Sequence, residues 1–352
     1  MFKRNLNNKK NKIQLSRKKL NKYKLKRKRK FTCIVKIKFN GIILKSIFIV
    51  LLCFLFYIFK TDPKNVNNFL KTIIKGKSSD LKVALCVVGK KENLYAKEYV
   101  NYYKDLGYNH IYIYDNNDLN TEKFEDVLQE EINSSFVSII NVRGKGTPQC
   151  YAYKHCYEKN NKNYDWLSFF DFDEFLEVRP QAKNIQDFLS NKRYDKCVNI
   201  KINFLFYSDN ELLYYDPRPV QQRFTTPLYK EYNNRVIKST VRGGLPKNYW
   251  SLGCTPHTSA RNVTSCNSMG EILHPNSGGN NRINYTYAAL KHYYTKTVEE
   301  YANKSRRGDA YIPIGWDLNR KYYKIKNYFH YNKKTIEKEN LFKKLFNIKQ
   351  SI

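Results

Sequence analysis

Trp166-Leu-Ser-Phe-Phe-Asp-Phe-Asp-Glu174 is the stretch on which the fold of this chain turns. Its first five residues are largely apolar and have the length and makeup of a buried strand. The run ends directly in Asp171 and Asp173, two carboxylates at positions i and i+2 on the turn leaving that strand. Such a pair can offer oxygen ligands to one hard cation, and Mn²⁺ or Mg²⁺ favours oxygen ligands and is often shared with substrate phosphates. A bare Asp-x-Asp is more often a solvated turn, so the surrounding pattern has to decide.

Upstream, the same unit recurs. Lys82-Val-Ala-Leu-Cys-Val-Val88 is a continuous apolar run, and Gly89–Asn93 turns the chain. Tyr95–Leu106 then carries Tyr95, Tyr99, Tyr102, Tyr103 and Leu106 at helical spacing, with Gly107 as the stop. His110–Tyr114 predicts a second strand, Phe124–Ile132 a short helix and Phe136–Val142 a third strand. Pro148 opens a helix to about Lys159, and Ile185–Leu189 is helical again. Strand and helix alternate four times, which predicts an α/β domain with a mainly parallel sheet flanked by helices. Ligands of such sheets bind outside the carboxyl ends of the strands. Lys90 with Glu92, Asp115 with Asn116 and Asn117, and Asp171 with Asp173 all fall there, which predicts a nucleotide site. Beyond Asn191 the pattern is mixed until a basic helix from about Thr335 to Phe346.

Charge is spread unevenly. Residues 1–60 hold 19 Lys or Arg and no acid, so they supply +19 of the net +33 and the other 292 residues carry +14. The basic tail, 1–41, runs into an apolar segment, 42–60, just long enough to cross a bilayer if Lys45 snorkels. With 17 basic residues before Asn40, the positive-inside rule keeps the N-terminus cytosolic and predicts a single-pass type II membrane protein. The basic region is too long for a signal-peptide n-region, and no small-residue cleavage site follows. Residues 61–80 read as a stem, 81–335 as the catalytic domain and 336–352 as a basic C-terminal helix. Nucleic-acid binding by the Lys22–Lys30 cluster is the sharper reading of the tail, but an adjacent anchor argues against it, and no nucleic-acid partner is expected.

Six cysteines follow the anchor, at 86, 150, 156, 197, 254 and 266, and none forms a C-x-x-C pair, which argues against structural zinc. Cys254 and Cys266 bracket a polar stretch that a disulfide could close. Cys86, within an apolar strand, reads as a free core thiol. No P-loop, Gly-x-Gly-x-x-Gly, Gly-x-Ser-x-Gly or His-Glu-x-x-His motif is present.

A set of ordered motifs now bears on the function. Leu85–Tyr95, Glu98–Tyr103, Leu106–Asn117, Arg143-Gly-Lys145 with Gln149, Tyr164–Trp166 and Phe170–Phe175 resemble the opening of the glycosyltransferase family 2 and family 92 group. Later matches are Asp209-Asn210, Arg223-Phe224, Lys238–Gly243, Lys291–Lys296, Glu299-Glu300 and Arg307-Gly308, so the similarity spans about Leu81–Ala310. Lys91 stands where the family more often has Asn. The resemblance implies a GT-A fold and transfer of a hexose from a nucleotide-diphosphate sugar to a glycan, glycoprotein or glycolipid. It implies Glu92 and Asp115 as nucleotide contacts, Asp171 at the ribose or the metal, and Asp173 at the metal, Mn²⁺ or Mg²⁺. His292 is the favoured third metal ligand, with His257 second, while His110, His155 and His330 read as structural. A secretory membrane such as the Golgi is the expected location.

If the reaction inverts the anomeric centre, a carboxylate must take the acceptor's proton. Asp209, after the Phe204–Tyr207 run, is a candidate, and a turn residue is its plainer reading. Lys238 and Arg242 form a candidate basic pair for the diphosphate, with a solvated strand face as the alternative. Two other readings of the whole chain stand beside the enzyme: a glycosyltransferase-like protein that binds a glycan or nucleotide sugar without turnover, and a basic-tailed nucleic-acid binder at a membrane.

Overall fold

The apolar run after Lys82 forms β1 (Val83–Gly89). Its residues alternate between two cores. Val83, Leu85 and Val87 face α1 (Asn93–Asp105), and Ala84 and Cys86 face α3 (Pro148–Asn160). A strand covered on both faces has no polar side to present, which is why this one reads as unbroken hydrophobicity. Between these elements lie β2 (His110–Asp115), α2 (Gln129–Asn133) and β3 (Val137–Asn141). The helix α1 ends at Gly107, whose φ of 96° carries the chain away in a conformation that side chains disfavour.

A computed structural model describes residues 81–245, 257, 263–273, 278–308 and 318–348, within one unit, Lys77–Ile352. The expected tail, anchor and stem (1–41, 42–60 and 61–80) lie outside the described residues. Among the described residues no helix is long and apolar enough to cross a membrane.

After α3 come β4 (Trp166–Phe169), β5 (Glu174–Val178), α4 (Ile185–Leu189), β6 (Asn199–Phe206), α5 (Val220–Arg223) and β7 (Ile237–Arg242). Then follow β8 (Ser265–Asn267), β9 (Ile272–Leu273), β10 (Ala288–His292), α6 (Val298–Arg306), α7 (Leu318–Tyr331) and α8 (Ile336–Phe346). The sheet runs β3-β2-β1-β4-β7-β6-β10-β5, with β8 attached to β6 and β9 to β8. Its first four strands are parallel, as expected. β7 then enters antiparallel between β4 and β6, and β5 is antiparallel to β10, so the full sheet is mixed rather than mainly parallel. The last three helices share their own apolar cluster, including Tyr301, Tyr328 and Phe342.

The cysteine expectations are corrected. Cys86 is not free: it faces α3 and is bonded to Cys156 there. Cys266 pairs with Cys197 rather than with Cys254, because β8 lies beside β6 with Cys266 opposite Ile200. Cys150 is also disulfide-bonded.

Candidate functional site

The turn after β4 is built by packing on one side and hydrogen bonds on the other. Phe172 is driven into the core, stacked on Phe124 with ring centroids 5.2 Å apart and against Tyr99 at 4.7 Å. Its flanking residues Asp171 and Asp173 therefore point the opposite way, into a cleft. The Glu174 N–H donates to the Asp171 carbonyl at 3.0 Å, the Asp171 N–H donates to Glu174 Oε2 at 2.9 Å, and the Tyr293 N–H donates to the Asp173 carbonyl at 2.9 Å. Gly89 sits beneath the turn, where no side chain would fit against Phe124 and Phe172.

Asp173, Glu174 and His292 bring one ligand atom each to within 4.8 Å of one another, all buried. Sheet register explains the meeting: β10 pairs with β5 so that His292 lies opposite Glu174. His292 Nε2 is 3.6 Å from Asp173 Oδ2, while its Nδ1 is buried without a hydrogen-bond partner. Burial opposes the charge on Asp173, but Lys304 and His292 more than offset it and hold the carboxyl well below its usual range. Burial pushes Glu174 well above its range and lowers His292. Two carboxyl groups and an imidazole offer oxygen and nitrogen donors of the kind Mn²⁺ accepts, and His292 has a buried nitrogen with no partner of its own.

Asp171, expected as a metal ligand, stands beside this cluster. Its Oδ1 accepts from the Tyr153 hydroxyl at 2.8 Å and its Oδ2 from Lys238 Nζ at 2.6 Å. Lys238 also reaches Glu174 Oε1 at 3.2 Å and is 2% exposed, so it neutralises carboxylates behind the cleft instead of facing a diphosphate.

Glu92 lines the cleft, with Oε1 2.6 Å from Arg307 Nη2 and Oε2 3.7 Å from Lys296. Lys90, Gln149, Lys304 and Arg307 share that lining. A second cavity, lined also by Tyr95, Tyr215 and Lys296, adjoins it across Glu92, Lys304 and Arg307.

Three expected residues are not in this group. Asp115 ends β2 beside Gly89, but its carboxylate turns to Arg143, with Nε at 2.9 Å and Nη2 at 2.5 Å. Arg242 lies at the opposite end of β7, opposite Trp166, where it donates to the carbonyls of Cys197 and Tyr194. It stands four positions along the strand from Lys238, about 13 Å away, with its guanidinium turned to those carbonyls rather than to the cleft. Asp209 accepts from the Tyr328 hydroxyl and pairs with Lys338 of α8, away from the cleft lining. His110, His155 and His330 are hydrogen-bonded within the scaffold.

Sequence reasoning missed Glu174 and Lys304 as members of the site, and it quoted Arg307 without a role. The available signal was that Lys304 and Arg307 are three apart at the end of one helix and its cap, shortly after the His292 segment.

The family model of glycosyltransferase family 92 matches residues 80–295. This chain belongs to glycosyltransferase family 92. Family 92 proteins of Ricinus communis and Oryza sativa subsp. japonica are 26% and 27% identical to it over 110 and 113 residues, 31% of this chain in each case. Those matches cover 19% and 18% of the relatives, so the chain spans about a fifth of their length. Among solved structures, residues 1–349 of TarS from S. aureus in complex with UDP are 10% identical, covering 75% of this chain and 81% of that one, with a TM-score of 0.33. The mannosyltransferase PcManGT of Pyrobaculum calidifontis, in complex with GDP-Man and Mn²⁺, is 9% identical, covering 79% of each chain at a TM-score of 0.33. Scores at that level assign no common fold to this family 92 member.

Proposed function

We propose that the chain is a metal-dependent glycosyltransferase of GT-A type that moves a hexose from a nucleotide-diphosphate sugar to a glycan or glycoconjugate acceptor. The observation that carries this reading is the Asp173, Glu174 and His292 cluster in a cleft lined also by Lys90, Lys304 and Arg307. Family membership supports it, as does a cleft at the carboxyl ends of β1 and β4, where α/β sheets bind nucleotides. A divalent cation, Mn²⁺ or Mg²⁺, held by the cluster would act as a Lewis acid on the departing nucleoside diphosphate.

The chain's own groups have separate tasks in this reading. Lys90, Lys304 and Arg307 supply positive charge where a diphosphate would lie. Lys238, locked between Asp171 and Glu174, keeps the turn from repelling itself apart. Phe172 fixes the direction of both Asp side chains from the core side.

The same reading puts the protein in a secretory membrane, the Golgi or another, as a single-pass type II protein. The basic 1–41 and apolar 42–60 segments support this. So do the Cys86–Cys156 and Cys197–Cys266 disulfides, which persist in oxidising compartments.

The test is donor hydrolysis by the full-length protein against a panel of nucleotide sugars, with Mn²⁺ or with EDTA, beside Asp173→Ala. Nucleoside diphosphate release from one donor, lost with EDTA and in the variant, is the expected result. A folded protein that binds a donor but never releases nucleoside diphosphate would favour a binding protein; one that binds no donor would sink both readings.

A further inference from the structure

We infer that Lys304 is an internal counter-ion that occupies the cation's place on Asp173 until a donor diphosphate arrives, so that cation and donor bind cooperatively. The inference rests on the proposed cation–donor site and adds to it a residue with a switching task. Lys304 Nζ is ion-paired with Asp173 Oδ2, the oxygen that His292 Nε2 approaches at 3.6 Å. Its other contacts are the Tyr294 carbonyl at 3.1 Å and the Tyr294 ring, 4.5 Å from centroid to Nζ. An ammonium thus sits on the carboxylate that a metal would need.

The two lysines paired with Asp171, Asp173 and Glu174 differ in freedom. Lys238 is 2% exposed and held by two carboxylates. Lys304 is 25% exposed, has one carboxylate partner, and lines both adjoining cavities. Only Lys304 has somewhere to go.

Charge counting gives the coupling. Asp171, Asp173 and Glu174 face two ammonium groups, Lys238 and Lys304. Adding a bare dication would leave positive charge in excess in a place with little water, which is strongly unfavourable. A diphosphate brings the missing negative charge. It also offers Lys304 a new partner in the cleft that Lys90 and Arg307 already line.

Mn²⁺ titration of the full-length protein, by calorimetry or by Mn²⁺ EPR, tests this directly. It is run with Mn²⁺ alone and with saturating UDP or GDP. Wild type should bind Mn²⁺ weakly alone and at least tenfold tighter with the matching nucleotide. Lys304→Met should bind Mn²⁺ alone at least tenfold tighter than wild type and gain much less from the nucleotide, whereas Lys304→Arg should behave as wild type. Lys304→Gln serves if the Met variant does not fold, and Asp173→Asn should lose Mn²⁺ in either background. Equal Mn²⁺ affinity for wild type and both neutral variants would overturn the role of Lys304 while leaving the cation site standing. If no folded form binds Mn²⁺, with or without nucleotide, the cation reading itself fails and takes this inference with it.

Discussion

Lys338 Nζ lies 2.6 Å from Asp209 Oδ2, and both side chains are almost wholly out of water. Tyr328 donates to the same oxygen at 2.5 Å, and Asn332 Oδ1 accepts from the Asp209 N–H at 2.7 Å. The segment after β6 is thereby tied to α7 and α8.

Removing one partner of a buried pair strands the other charge and costs about 3–5 kcal/mol, while replacing both is often near neutral. Lys338 keeps Glu211 at 3.2 Å, so Asp209→Asn should lose stability at the low end of that range in denaturant unfolding, and Asp209→Asn/Lys338→Met should recover most of it. Turnover per folded molecule should be unchanged. A stable Asp209→Asn protein without turnover would instead identify Asp209 as the base.

Gly89→Ala probes the support under the acidic turn. The added Cβ would stand 2.6 Å from Phe172 Cε2 and 2.8 Å from Phe124 Cε2. Overpacking of this kind costs about 1–3 kcal/mol. Calorimetry should show a lower Tm, and Mn²⁺ affinity should fall because Phe172 joins Asp171 to Asp173. An unchanged Tm would mean that the two rings yield freely.

Lys91 has a φ of 53°. That left-handed region costs most side chains about 1–2 kcal/mol, and Asn enters it more readily. Lys91→Asn should stabilise the protein by about 0.5–1 kcal/mol. The exposed 3.2 Å contact of Lys91 with Asp118 is a small loss, because Lys90 holds the same carboxylate at 2.8 Å. Equilibrium unfolding of the two proteins checks the sign.

Burial, with the Lys238 charge second, holds His257 down at about 4 from 6.5. Between those values the unfolded chain binds the proton and the folded one does not, so stability rises with pH there. Acidification from 6.5 to 4 in EDTA should cost up to about 3 kcal/mol through this residue, at 1.36 kcal/mol per pKa unit. His257→Gln should flatten that part of the profile. An equally steep profile in the variant would move the effect to His292 and His110, which burial also lowers.

The first half of the fold is legible because β1–β4 pair in parallel and are joined by helices that each cover a face. Apolar runs, Gly107 and Pro148 mark those elements locally. β7 and β10 are harder to see: β7 owes its place to pairing between β4 and β6, far apart in the chain, and polar Ser239 and Thr240 are buried within it. The carboxylates of the site announce themselves by spacing, and His292 by its segment. Lys238 and Lys304 do not, since nothing local tells a lysine that folds onto a distant Asp from one that stays in water. Asp209 misled for the converse reason: its partner is 129 residues downstream. Disulfide pairing was illegible too, because both described bridges join cysteines about seventy positions apart.

The match to family 92 stops at residue 295, yet Lys304 lies in α6 beyond it and Arg307 caps that helix. A fragment trimmed to that boundary would keep Asp171, Asp173, Glu174 and His292 and discard the helix that balances them. Glu92 would lose Arg307, and Arg223, paired with Glu300 at 2.8 Å, would lose its carboxylate. The span matched by the family model is thus smaller than the set of residues that builds the cleft around Asp173.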